Sequence, residues 1–137
     1  MILALLLLAA GQADDAWPPR VKGAIERYLG RPYSWGAAGL KSFDCSGFVW
    51  RVMWDSGIAV KRTTARKFWF SLPPVPESRR WQPGNLVFFD NLTHVGIVNG
   101  PADFFHAISK RGTHLSKFDP FWRPKIGGVR TMPRPGN

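Results

Sequence analysis

The 137-residue chain holds one cysteine, Cys45, within FDCSGFVW, and three histidines, His94, His106 and His114. A lone thiol cannot cross-link its own chain, so Cys45 is either an inert core residue or a nucleophile, and its neighbours must decide. Asp44, directly ahead of a helical pattern, is a good N-cap, which makes Cys45 the first helical residue. There the unpaired backbone N–H groups and the positive end of the helix dipole favour thiolate over thiol. Gly47 leaves room for the backbone of a substrate or a neighbouring strand to approach. Ser46 can donate a hydrogen bond to a substrate or bond back to its own helix.

A nucleophilic thiol needs a base. His94 and His106 lie on the two arms of HVGIVNGPADFFH, which reads as a hairpin. An odd loop such as Asn99-Gly100-Pro101 sets Val98 against Ala102 and His94 against His106 on one side of the sheet. A two-residue Asn-Gly loop puts the rings on opposite faces, but it places Pro101, which has no N–H, at the first paired position. The odd loop supplies a nucleophile, a base (His94) and an orienter (His106), provided the sulfur sits within bonding reach of the His94 ring. His114, in the charged turn KRGTH, reads as a surface residue. Catalytic zinc sites hold three firm ligands at recognisable spacing with a Glu nearby, and Glu26 and Glu77, the only glutamates, are far from the histidines in sequence. Neither a metal nor another cofactor is expected.

Helices first and strands afterwards must position these groups, which gives an α+β domain. In PPRVKGAIERYLGRPY, Val21, Ile25 and Leu29 recur every four residues between prolines and Gly30, the pattern of a short amphipathic helix. From Cys45 onward, Phe48, Val49, Val52 and Met53 fall on one helical face, and Asp55-Ser56-Gly57 supplies a stop. TTARKFWFS reads as a second short helix capped by Thr63 or Thr64, followed by the stiff connector LPPVPE. NLVFFD, HVGIVNG, ADFFHAIS, GTHLSKF and IGGVRTM then read as successive antiparallel strands.

The length allows one domain with its own core. The opening MILALLLLAAGQADD is too short to cross a hydrocarbon layer of roughly 30 Å, and it matches the apolar part of a secretory signal. Residues 1–13 are therefore expected to be a leader, or alternatively a buried N-terminal helix, and 14–137 a single catalytic domain without a transmembrane segment. The net charge of +10 draws the surface towards polyanions. Its basic residues are scattered and form no single stripe, so no specific nucleic-acid partner is expected.

In order and spacing, YSWGAAGLKSFDCSGFVWRV, VKRTTARKFW, WQPGNLVFFDN, HVGIVNG, FFHAIS and FWRPKIGGVRTM resemble the NlpC-type (p-sixty) cysteine peptidases of bacterial cell walls, from about Pro32 to Met132. The resemblance implies a papain-like α+β fold, with the nucleophile's helix packed on an antiparallel sheet of about five strands that carries the histidines. It implies hydrolysis of peptidoglycan stem peptides, typically between D-γ-glutamyl and diaminopimelate or Lys residues, outside the cytoplasm. By position, Cys45 would be the nucleophile, His94 the base and His106 the orienting residue. Tyr33 would help hold the substrate or oxyanion, and Asp44 and Ser46 would contact the free amine of some substrates. Asn85 stands where the family often has Asp, GAAG varies the usual loop, and Thr63 holds a substrate-side position often occupied by Ser. The same constellation also fits a thiol amidase or acyltransferase. The charge alone fits a non-catalytic cationic module, or electrostatic contact with anionic wall polymers or lipids.

Overall fold

Strand β1 (Leu86–Phe89) is a run of four apolar residues buried on both faces, so it belongs in the middle of a sheet covered on both sides. It pairs antiparallel with β2 (His94–Val98) on one edge and β5 (Ile126–Arg130) on the other, and β3 (Asp103–Ile108) and β4 (Gly112–Lys117) complete the order β4-β3-β2-β1-β5. β4, at an edge, alternates between covered and exposed positions over its second half, as a strand with one wet face should. These strands and their order belong to a computed structural model that describes residues 17–134; the expected leader, 1–13, lies outside them.

Helix α1 (Val21–Tyr28) buries Val21, Ala24, Ile25 and Tyr28. The sequence reading placed Leu29 on that face. At 3.6 residues per turn the position after Val21 and Ile25 falls on residue 28, and Leu29 caps the helix, half in solvent. Helix α2 (Cys45–Asp55) buries Phe48, Val49, Val52 and Met53 as its periodicity requires. It ends at Ser56, whose Oγ donates to the Val52 carbonyl at 2.7 Å, and at Gly57, which takes φ 83°. Tyr28 and Arg27 of α1 both reach Asp55, tying the first helix to the end of the second. Of the two possible caps for helix α3 (Ala65–Ser71), Thr64 is used, accepting from Lys67 N at 3.2 Å.

The sheet divides two cores. On one face Leu86, Phe88, Val95, Ile97, Phe105 and Ala107 pack under α1 and α2. On the other, Val87, Phe89, Val98, Phe104 and Val129 are covered by Phe118 and Trp122 from the segment between β4 and β5. Each fully buried Phe contributes about 1.5–3 kcal/mol of burial free energy, so the second core is a substantial stabilising unit and not a loose flap. No helix among the described residues is long and apolar enough to cross a membrane.

Candidate active site

The first turn of α2 is built around one carboxylate. Asp44 Oδ1 accepts from Gly47 N at 2.6 Å and Oδ2 accepts from Gly36 N at 3.0 Å, while Asp44 N donates to the Ala37 carbonyl at 2.9 Å. Gly47 is required by that loop and not by a substrate: a Cβ there would lie 2.0 Å from the Ala37 oxygen. Arg62, absent from the sequence reading, donates to Asp44 Oδ1 at 2.8 Å and to Ser46 Oγ at 3.0 Å. Of the two roles open to Ser46, its hydroxyl takes the local one, donating to Asp44 Oδ1 at 3.4 Å. Arg62 was missed because its charge looked like one of many in KRTTARK, and only tertiary structure brings it to a carboxylate eighteen residues earlier.

Cys45 sits at the end of β2. Its thiol donates to the Thr93 carbonyl at 3.8 Å, and the N–H of Val95 also faces the sulfur, so the backbone on both sides of His94 touches it. The thiol thus donates to the peptide before His94 and not to the ring itself. Burial pushes the Cys45 thiol above its ordinary value; the Val95 N–H pulls it back, the Asp44 carboxylate pushes it further up, and the N–H groups of Ser46 and Cys45 pull down. This corrects the expectation of a dipole-favoured thiolate, because desolvation of the anion outweighs the helix terminus. The resting species is the thiol.

The hairpin corrects a register while keeping a parity. Val98 pairs with Phe104, not Ala102, which leaves the five residues 99–103 between the paired positions, with Asn99 N donating to the Asp103 carbonyl at 3.1 Å. The loop is odd, as favoured, so His94 and His106 share a face, but they are diagonal neighbours and not directly opposed. Gly96 lies opposite the histidine strand there, and a Cβ on it would be 3.2 Å from His106 Cβ. The absent side chain lets the rings meet, with His94 Nε2 2.8 Å from His106 Nδ1.

Trp122 roofs the pair. Its ring stacks on His94 at 5.5 Å and stands edge-on to His106 at 5.2 Å, with Phe104 4.5 Å from His106 on another side. Burial lowers His94 to about 4, against a small upward push from Asp90. Burial, followed by the charges of His94, His114 and Arg111, lowers His106 to about 2. Both rings are neutral near pH 7, and since Nε2 of His94 is engaged by His106, Nδ1 is the nitrogen left to accept a proton. The backbone ahead of His94 is bent to deliver it: Asp90, Asn91 and Leu92 take φ of 52°, 55° and 68° in succession, a left-handed turn that costs non-glycine residues about 1–2 kcal/mol each.

His114 is not the free surface residue that its charged turn suggested. It pairs with His106 across β3 and β4, and its Nε2 lies 2.9 Å from Ser116 Oγ, itself 2.8 Å from His106 Nε2. Sequence alone hides this, because it depends on the register of a second hairpin.

A cleft of about 360 Å³ opens over the sulfur, and Tyr33, Asp44, Ser46 and Thr63 all line it, with Arg62 and Trp35. Burial, then the charges of Cys45 and Asp44, raise the Tyr33 phenol above its ordinary value, so it stays a hydrogen-bond donor. Asn85 lies away from this cleft, its amide donating to the Arg79 and Arg80 carbonyls at 2.8 and 3.1 Å.

Residues 30–131 match the sequence profile of the NlpC/P60 family. The chain is 44% identical over 85 residues to a probable endopeptidase p60 of Listeria seeligeri, an alignment covering 60% of this chain and 16% of that protein. It is 33% identical over 107 residues to the probable peptidoglycan endopeptidase LytE of Bacillus subtilis, covering 74% of this chain and 30% of that one. The chain thus spans less than a third of either relative. A crystal structure of a lipoprotein-like NLP/P60 protein from Staphylococcus aureus superposes with a TM-score of 0.70 at 28% identity, covering 82% of this chain and 40% of the other. A sequence match over most of the chain, joined to the same papain-like arrangement of helices on an antiparallel sheet, places this chain in the NlpC/P60 family.

Proposed function

We propose that the domain is an exported thiol endopeptidase that cleaves peptidoglycan stem peptides at a D-γ-glutamyl–diaminopimelate type amide. The observation that carries the reading is the seating of the Cys45 sulfur against the peptides flanking His94, with His106 2.8 Å behind that ring. Relatives named as peptidoglycan or p60 endopeptidases support the substrate class. Export rests on reading the apolar run of residues 1–13 as a leader.

The neutral resting pair sets the order of events. As the sulfur attacks the scissile carbonyl, the thiol proton moves to His94 Nδ1, so charge develops only when substrate is in place. The N–H groups of Cys45 and Ser46 at the start of α2, Gly47 N being taken by Asp44, and the Tyr33 hydroxyl receive the oxyanion. Collapse breaks the C–N bond, the imidazolium gives its proton to the leaving amine, and a thioester remains. His94 then takes a proton from water, which hydrolyses the thioester and restores the thiol. Asp44, Ser46 and Thr63 line the cleft where a stem's free amine would enter.

Mass analysis of products from defined muropeptides tests the reading. Cleavage at the D-γ-glutamyl bond by the intact domain, abolished in Cys45→Ala, is expected. Full cleavage by Cys45→Ala would remove the thiol from the mechanism, and a different product mass would reassign the bond.

A further inference from the structure

The hydrogen bonds behind His94 do not stop at His106. His94 Nε2 meets His106 Nδ1 at 2.8 Å, His106 Nε2 meets Ser116 Oγ at 2.8 Å, Ser116 Oγ meets His114 Nε2 at 2.9 Å, and His114 Nδ1 meets the Gly112 carbonyl at 3.1 Å. Only the last link has a fixed direction, because a carbonyl oxygen can only accept. His114 Nδ1 must therefore carry the hydrogen, which leaves its Nε2 as an acceptor for the Ser116 hydroxyl. Ser116 oxygen then accepts from His106 Nε2–H, His106 Nδ1 accepts from His94 Nε2–H, and His94 Nδ1 is left bare. One backbone carbonyl at the start of β4 thus sets the tautomer of a ring three side chains away.

We infer that His114 and Ser116 are positioning residues, which through this unbranched relay hold His94 in the tautomer whose Nδ1 can take the Cys45 proton. The inference rests on the reading of His94 as the base. The anchor is well held: Gly112 takes φ 71° and a Cβ on it would collide with the Arg31 carbonyl oxygen, 2.1 Å away, and Thr113 N donates to that carbonyl at 2.9 Å. Thr113 O accepts from Gly30 N at 2.8 Å, clamping the start of β4 to the loop after α1. Without the acceptor on His114, the Ser116 hydroxyl can turn and donate to His106 Nε2. The whole chain then reverses, putting a hydrogen on His94 Nδ1, where it blocks the base.

The test reads the His94 tautomer directly by ¹⁵N NMR of histidine-labelled protein, alongside kcat and KM on a muropeptide. In the unaltered chain His94 should show a pyridine-like Nδ1 and a pyrrole-like Nε2. His114→Phe and Ser116→Ala should each shift His94 towards the Nδ1–H form and lower kcat about three- to tenfold with KM little changed, the scale set by losing one oriented hydrogen bond. Ser116→Thr, which keeps the hydroxyl, should restore both and guards against His114→Phe failing to fold. A protonated Nδ1 in the unaltered chain, or an unmoved His94 signature in both variants, would overturn the relay. Because the tautomer is read without substrate, absence of muropeptide cleavage by the unaltered chain counts against the proposed function and not against the relay.

Discussion

Arg62 lies 2.8 Å from Asp44 Oδ1 and, through its other terminal nitrogen, 3.0 Å from Ser46 Oγ, so one cation grips the residues on either side of Cys45. The Asp44 carboxylate is nearly buried and already accepts two backbone N–H groups, so Arg62 is the group that balances its charge beside the thiol. Arg62→Ala should lower stability by about 1–2 kcal/mol, the scale for breaking a pair that is partly screened by solvent. It should also slow alkylation of Cys45 near neutral pH, since the uncompensated carboxylate disfavours the thiolate further. Arg62→Lys should recover part of the first effect, because one ammonium cannot reproduce the two-pronged contact. Thermal melts and iodoacetamide rates against pH read the two effects separately.

The acid limb of catalysis should lie well below the ordinary histidine range. His94 must be neutral to take the thiol proton, and burial holds it at about 4, so kcat/KM should stay level as pH falls through 6 and decline only near 4. Trp122→Ala removes the ring stacked on His94 and admits water, so the limb should move up towards the ordinary value of 6.5. A limb that stays put in Trp122→Ala would mean that the indole is not what keeps the ring dry.

Folding stability should fall on acidification across the same window. Above pH 6.5 both rings are neutral whether folded or unfolded and contribute nothing to the slope. Between 6.5 and about 4 the unfolded chain binds protons that His94 and His106 refuse when folded, and for His106 the refusal continues to about 2. Unfolding free energy should therefore drop by about 1.4 kcal/mol per pH unit for each histidine once fully inside the window. Urea titrations of the intact chain and of His106→Gln should differ by one such increment per unit.

Much of this machinery was legible from residue order, and what was not has a common cause. The five strands stand out because Gly, Asn, Asp and Pro interrupt short apolar runs, and α2 because Asp44 caps a clean helical face. Loop parity could be argued from the cost of Pro101 in a ladder, yet the register could not, because pairing Val98 with Phe104 keeps the same parity as pairing it with Ala102. Arg62, Trp122 and the His114–Ser116 branch escaped because each acts through a partner far away in sequence or across a second hairpin. The thiol's protonation also escaped: a helix terminus can be read locally, whereas the burial that outweighs it is set by the whole fold.

Two glycines separate steric need from helix propensity. Gly47→Ala would set a Cβ 2.0 Å from the Ala37 carbonyl, against backbone that cannot yield without breaking the Asp44 N bond to the same oxygen. A loss of about 2–4 kcal/mol is expected, with activity falling because the cleft wall moves. Gly23, inside α1 and with nothing within 4 Å of its Cβ position, should instead gain about 0.5–1 kcal/mol as Ala. Chemical denaturation of the two variants should give stability changes of opposite sign.

Wall adhesion should be electrostatic and separable from cleavage. The chain carries nineteen Lys and Arg against nine Asp and Glu, and among the described residues most Lys and Arg are exposed while acids such as Asp44 and Asp55 are already paired with arginines. At about 0.15 M salt the screening length is roughly 8 Å, long enough for surface charges to act on a nearby anionic polymer, and near 1 M it shrinks to about 3 Å. Purified sacculi should therefore retain the domain at low salt and release most of it by about 0.5 M. Cys45→Ala should be retained as well as the unaltered chain, because the thiol contributes no charge. Retention that survives high salt would instead mean stereospecific contacts, and the cleft lined by Trp35 and Tyr33 would be the first place to seek them.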